Sequence, residues 1–290
     1  MRVTTRDPER GETRQTVTSL AVLLLMVFAL TWVVWVPRAL DSQGIIRSDL
    51  AVTLGAGWTY APAAAAFLFL ALQRGQGAVV ALGRRLLDWR IGWRWLGIIV
   101  AVPAVVAIGT AVVTGVLGGG PGAALPVVVG MPAPLILVTL VTLALTDGVG
   151  EETAWRGVTL PYLLTLTNAA AASLVLGLVW ALWHVPLLFT RGAVMAGASL
   201  PLLLALLPAQ AVFYTWVYQH TRGSVLAAAL LHGVIGLMSR GSPVAEATGR
   251  PELVRLALWW IVAALLVARY GRNLTAEGRS PRPGRGTAGQ

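Results

Sequence analysis

Residues 135–146, LILVTLVTLALT, run for a dozen positions without a charge, and stretches of this kind recur along the whole chain. Eight hydrophobic segments can be marked out, at about 17–36, 51–72, 95–118, 134–150, 168–189, 199–219, 223–239 and 253–269. Crossing a bilayer takes ~20 mostly apolar residues in a helix. Inside lipid every backbone polar group must be satisfied within the protein, which a helix does by itself. The expected fold class is therefore all-α, a polytopic membrane helix bundle of about eight transmembrane helices. Composition agrees. The 290 residues are 57% hydrophobic and 12% charged, with a mean hydropathy of +0.74. A soluble domain is nearer a quarter charged. The first segment is long, rich in Trp and Val, and ends at Pro37-Arg38 without a small-residue cleavage site. It reads as a span and not as a cleaved signal peptide.

The arginines set the orientation. All 22 basic residues are Arg, for a net charge of +10. They gather in the N-terminal tail (Arg2, Arg6, Arg10, Arg14) and in the link after the second segment (Arg74, Arg84, Arg85, Arg90, Arg94). A third group lies in the C-terminal tail (Arg272, Arg279, Arg282, Arg285). With eight spans all three groups fall on one side, which the positive-inside rule makes cytoplasmic. The opposite side would hold the uncharged stretch 119–133 and the segment 240–252. This predicts a multi-pass protein of the plasma membrane with both termini cytoplasmic. Residues 1–16 form a cytoplasmic tail, 17–270 the transmembrane bundle and 271–290 a disordered tail rich in Gly, Pro and Arg. Residues 78–94, VVALGRRLLDWRIGWRW, are expected to lie as an amphipathic helix at the membrane surface. The partner read from composition is the lipid bilayer, with no nucleic acid. Cysteine is absent, so there is no disulfide and no thiolate metal site.

Ionisable residues at membrane depth are costly and usually mark a site. Here they are Asp147, Glu151, Glu152, Arg156, His184 and His232. In GEETAWRG, residues 150–157, neighbouring glutamates on a helix point about 100° apart and cannot share one task. Glu152 and Arg156 are spaced i,i+4, acid first, the better order for an ion pair. Glu151 is left without a charged partner nearby and is the candidate general base for water. Asp147, one turn earlier, can cap the helix or hold water. His184 and His232 each stand alone in a charge-free span and can orient water, bind a metal or stabilise an oxyanion. His220 sits in the polar turn QHTRGS and reads as a link residue. No H-E-x-x-H pattern occurs, so a metal site would have to be assembled from separate helices.

Together these stretches resemble the CPBP group of intramembrane proteases (CAAX protease and bacteriocin-processing, or Abi), which includes the prenyl-protein endopeptidase Rce1. The first motif, E-E-x-x-x-R, is Glu151, Glu152 and Arg156, followed by Gly157 and by Pro161. The second, an aromatic with His four residues later, is Trp180 and His184 within WALWHVPLLF. The third, His with Asn four residues later, is met by His232, but position 236 is Gly. The resemblance covers residues 134–240. It implies eight helices around a cavity inside the membrane and hydrolysis of a peptide bond in a membrane-associated or prenylated CAAX-type protein. Glu151 and His184 would activate water. His232 would bind a metal or stabilise the tetrahedral intermediate, with Glu152, Arg156 and Trp180 in support. The motifs leave two chemistries open, a zinc held by Glu151, His184 and His232, or a metal-free glutamate protease. Gly236 removes a side-chain donor, whose loss in other enzymes costs ~10²–10³ in rate. Gln210 in the sixth segment is a substitute donor to consider. Two other readings compete. One is a family member without catalysis that acts by binding or immunity. The other is a transporter or proton relay, which predicts inverted repeats that the sequence does not show.

Overall fold

In a computed structural model the chain is described over residues 8–49, 53, 57–119, 127–239 and 250–275. Every regular element among these residues is helical. The main helices are α1 (Pro8–Ser42), α2 (Ala61–Arg74), α3 (Gln76–Leu86), α4 (Trp93–Thr114) and α5 (Ala133–Leu166). They are followed by α6 (Ala169–Trp183), α7 (Leu200–His220), α8 (Val225–Ser239) and α9 (Arg250–Tyr270). Each of the eight expected segments contains one of them. Helices α1, α4, α5, α7 and α9 are long and apolar enough to cross a membrane. Helices α2, α6 and α8 have 14 or 15 residues, somewhat short of the ~20 that a straight crossing needs.

Local chemistry sets the helix ends. Asn168 and Ser199 accept hydrogen bonds from the backbone N–H groups of Ala171 and Leu202, which caps α6 and α7. Ser224 does the same for Ala227 at the start of α8. Helix α7 is the central post. Every residue from Leu206 to Tyr218 is buried, and α7 packs against α6 and α9. The outer helices turn Leu25, Val105, Leu137 and Leu265 outward, as lipid-facing surfaces should.

Helix α5 is irregular where the motif lies. It widens to i→i+5 hydrogen bonding over Ala144–Gly148 and again over Trp155–Thr159, on either side of Val149–Ala154. Such widenings often occur at functional sites. Two glycines let other backbones close in on it. A Cβ on Gly148 would lie 2.4 Å from the carbonyl oxygen of Ala229 on α8, and one on Gly150 would lie 2.2 Å from that of Thr59.

Two expectations are corrected. Residues 78–94 are not one surface helix. Helix α3 ends at Leu86, an irregular stretch follows, Gly92 takes φ +82°, and Trp93 already begins α4. Glycine adopts that backbone without steric penalty and lets the chain turn into α4 there. The chain also stays packed beyond residue 270. The backbone N–H of Ala170 donates to Arg272 at 2.8 Å, and Leu274 is buried. The remainder of the expected C-terminal tail, 276–290, lies outside the described residues, as do 1–7 of the N-terminal tail. Residues 240–249 lie outside them too.

Candidate active site

The first motif divides as its spacing predicts, then does something more. Nη1 of Arg156 lies 2.8 Å from both carboxylate oxygens of Glu152, and both side chains are fully buried. Among the described residues Nε and Nη2 of Arg156 have no hydrogen-bond partner. The guanidinium instead lies over the Tyr214 ring at 4.0 Å and near the Trp180 ring at 4.9 Å. Glu152 also reaches across to α8, where its Oε1 lies 2.9 Å from Nδ1 of His232. Glu152 is thus shared between Arg156 and His232.

Glu151 points elsewhere, as residues about 100° apart on a helix must. Its Oε2 accepts a 2.6 Å hydrogen bond from Nε1 of Trp180 and a longer one, 3.4 Å, from Nε1 of Trp155. Its Oε1 stands 3.8 Å from Nε2 of His232. That is past hydrogen-bond distance and within the reach of one bridging water. The charge partner that Glu151 lacks on its own helix is therefore approached from α8.

His184 caps α6. Its Nδ1 donates to the carbonyl of Trp180 at 2.9 Å, and among the described residues Nε2 has no hydrogen-bond partner. It shares with Glu151 and His232 the wall of a single cavity of about 440 Å³, which Trp180, Gln210, Tyr214 and Gly236 also line. The three candidate residues come from three separate helices to one cavity. Glu151 and His184 make no direct contact there, and the imidazole nearer Glu151 is that of His232. Trp183 is fully buried and packs on Trp35, Trp155 and His184. His220 stands apart among Trp95, Trp216 and Tyr270. Asp147 neither caps a helix nor stands free, because it accepts a 3.0 Å hydrogen bond from the Thr59 hydroxyl.

Comparison with known proteins agrees with the motifs. Residues 133–238 match the family described as type II CAAX prenyl endopeptidase Rce1-like. Over these residues the chain is similar to that family. The match takes in α5 to α8, the helices that carry all three motifs, and leaves α1 to α4 and α9 outside it. The chain is also 25% identical over 147 residues to CAAX prenyl protease 2 of Methanococcus maripaludis, an alignment of 48% of this chain and 52% of that protein. The chain thus spans about half the length of the curated relative it matches.

Within the matched core the candidate donors for a metal come from three helices. Nδ1 of His232 is held by Glu152 and Nδ1 of His184 by the Trp180 carbonyl, which leaves Nε2 of each ring as its available donor. Among the described residues no three His, Asp or Glu side chains form a group that could hold a metal ion. In this arrangement Glu151, His184 and His232 do not form a zinc site.

Two residues at or beside the site escaped the sequence reading. Tyr214 lines the cavity, and its buried hydroxyl has no hydrogen-bond partner among the described residues. Gln210, Tyr214 and Tyr218 recur every fourth residue on α7, a polar stripe in an apolar helix that the sequence does display. Arg85 is the second. Its guanidinium donates to the carbonyls of Arg156, Gly157 and Gly223 and to the Tyr218 hydroxyl. It clamps the end of the motif to the turn between α7 and α8.

Proposed function

We propose that the protein is an intramembrane endopeptidase that hydrolyses a peptide bond of a membrane-anchored protein by a glutamate-activated water. The observation that carries this reading is the meeting of Glu151, His184 and His232 from three helices at one cavity. The relative's name, CAAX prenyl protease 2, points to a lipid-anchored peptide as the substrate class.

The steps follow from the donors and acceptors. A water between Oε1 of Glu151 and the imidazoles gives one proton to Glu151 as its oxygen bonds the scissile carbonyl carbon. Nε2 of His184, an acceptor while Nδ1 donates to Trp180, holds the second hydrogen of that water. The two indoles fix Oε2, so Oε1 is the oxygen free to take the proton. The carbonyl oxygen becomes an oxyanion and needs donors already in place. His232, as an imidazolium held between the two glutamates, supplies one from Nε2, and the Tyr214 hydroxyl, in want of an acceptor, supplies another. Glu151 then passes its proton to the departing nitrogen as the C–N bond breaks. Glu152 accepts from Nδ1 of His232 and so fixes the ring's orientation, as a carboxylate does behind a catalytic histidine. Arg156 neutralises Glu152.

The test is cleavage of a membrane-anchored peptide by purified protein in liposomes, with Glu151→Gln beside the unaltered chain. Glu151→Gln keeps the volume and the Trp180 hydrogen bond but cannot take a proton. Cleavage should fall by about 10²-fold or more, as loss of a general base requires. Undiminished cleavage would sink the assignment.

A further inference from the structure

The bundle has two ends of unlike charge, and the catalytic cavity extends to only one of them. One end gathers the α2–α4 link, the turn 221–224 and the start of α6. Arg85 binds the Gly223 carbonyl, Arg222 donates to the Arg90 carbonyl, Ser224 to that of Asp88, and Arg74 to the Tyr162 hydroxyl. This end holds Arg74, Arg84, Arg85, Arg90 and Arg94 of the link, and Arg222, Arg269 and Arg272. The other end joins the end of α1 to the loop after α6. Ser42 and Gln43 donate to the Phe189 carbonyl, and the Arg191 N–H donates to Ser42. The described arginines here are fewer, and two of them, Arg38 and Arg255, line the cavity wall, with Arg255 paired to Glu252.

The cavity belongs to this second end. Beyond Glu151 and the two histidines its wall is made by Arg38, Val194, Ser199, Leu202, Ser239 and Glu252. These are the end of α1, the loop after α6, the start of α7, the end of α8 and the start of α9. Among the described residues none of the arginine-rich end lines it. In that direction Trp155, Arg156 and Val158 are buried behind Glu151 and close the way. A separate hollow of about 420 Å³ at the arginine-rich end touches Gly157 and Val158 but none of the three catalytic candidates.

Arginine in short links selects the cytoplasmic side, and acidic residues contribute little to that choice. We infer that the cavity receives its substrate from the non-cytoplasmic end, so that the protein cleaves an extracytoplasmic segment of a membrane-anchored peptide and not a cytosolic C-terminus. The substrate class rests on the endopeptidase reading. The orientation of the cavity does not.

The chain has no cysteine, so single-cysteine variants report accessibility without background. Val194→Cys sits on the exposed loop and Leu202→Cys within the cavity wall, while Leu87→Cys lies exposed in the arginine-rich link. Intact cells are treated with a charged, membrane-impermeant methanethiosulfonate. Val194→Cys and Leu202→Cys should react at once, and Leu87→Cys only after permeabilisation. The reverse pattern, or equal labelling of all three in intact cells, would overturn the orientation. Labelling of Val194→Cys without Leu202→Cys would overturn the opening. A second arm places one scissile segment outside or inside the membrane on the same anchor. Only the outside copy should be cut. If the inside copy is cut and Glu151→Gln abolishes that cleavage, the protease stands and this inference falls.

Discussion

Nδ1 of His232 lies 2.9 Å from Oε1 of Glu152, while its Nε2 lies 3.8 Å from Oε1 of Glu151. The two adjacent glutamates therefore grip opposite edges of one imidazole. Glu152 holds the ring, and Glu151 faces it from just beyond hydrogen-bond distance. The whole chain Arg156–Glu152–His232 is an orienting device, and it links the first motif on α5 to the third on α8.

That sharing predicts a split between stability and activity. Glu152→Gln leaves the Arg156 charge fully buried without a counter-charge, and breaking a buried pair from one side costs about 3–5 kcal/mol. Thermal unfolding in detergent should shift down strongly. Adding Arg156→Met removes the stranded charge and should recover much of the loss. Cleavage should stay low in both variants, because neither restores the carboxylate behind Nδ1 of His232. Recovery of cleavage together with stability in the double variant would show that Glu152 acts only through Arg156.

Neighbouring arginines make a second contrast. Arg84 is exposed on α3, whereas Arg85 binds three carbonyls and a phenol. Hydrogen bonds from a charged group contribute about 1.5–3 kcal/mol each when their partners are buried. Arg85→Gln should lower the unfolding midpoint clearly, and Arg84→Gln should leave it within error. The measurement is unfolding of the two single variants side by side in the same detergent. Equal, small shifts would mean that Arg85 is a surface charge like its neighbour.

The sequence displayed the helices and the three motif residues because lipid imposes strict patterns. A charge-free run of sufficient length has few other readings, and a lone Glu or His inside one stands out. The i,i+4 rule also foresaw the Glu152–Arg156 pair. It did not foresee Glu152 bound to His232, since 80 positions separate them and only the packing of α5 on α8 joins them. The same holds for Arg85. Composition marked residues 78–94 as one amphipathic surface helix, but the helix ends at Leu86, and Arg85 turns inward to backbone carbonyls that no side-chain pattern encodes. Tyr214 was visible as part of a polar stripe on α7, yet nothing in the stripe tells which hydroxyl lacks a partner.

The Tyr214 hydroxyl and the Gly236 position together decide how the oxyanion is met. A buried hydroxyl without a partner is a stability loss of about 1–3 kcal/mol. Tyr214→Phe should therefore hold or raise the unfolding midpoint. If the hydroxyl serves the oxyanion, the same variant should lose about 10²–10³ in kcat, a change of opposite sign to the stability effect. Gly236 lies one turn from His232 and lines the cavity, and a Cβ there would sit 3.6 Å from Cδ1 of Leu143, an ordinary contact. Gly236→Asn should then fold normally and place a carboxamide donor beside the reacting carbonyl. In the Tyr214→Phe background it should return a large part of the lost kcat, with KM little altered. The decisive measurement is the four-member cycle of unaltered chain, the two single variants and the double. Two donors that substitute for each other at one oxyanion are coupled, so the gain from Gly236→Asn should be larger in the Tyr214→Phe background than in the unaltered one. An unchanged kcat in Tyr214→Phe would remove Tyr214 from the oxyanion site and leave its hydroxyl a packing feature of α7.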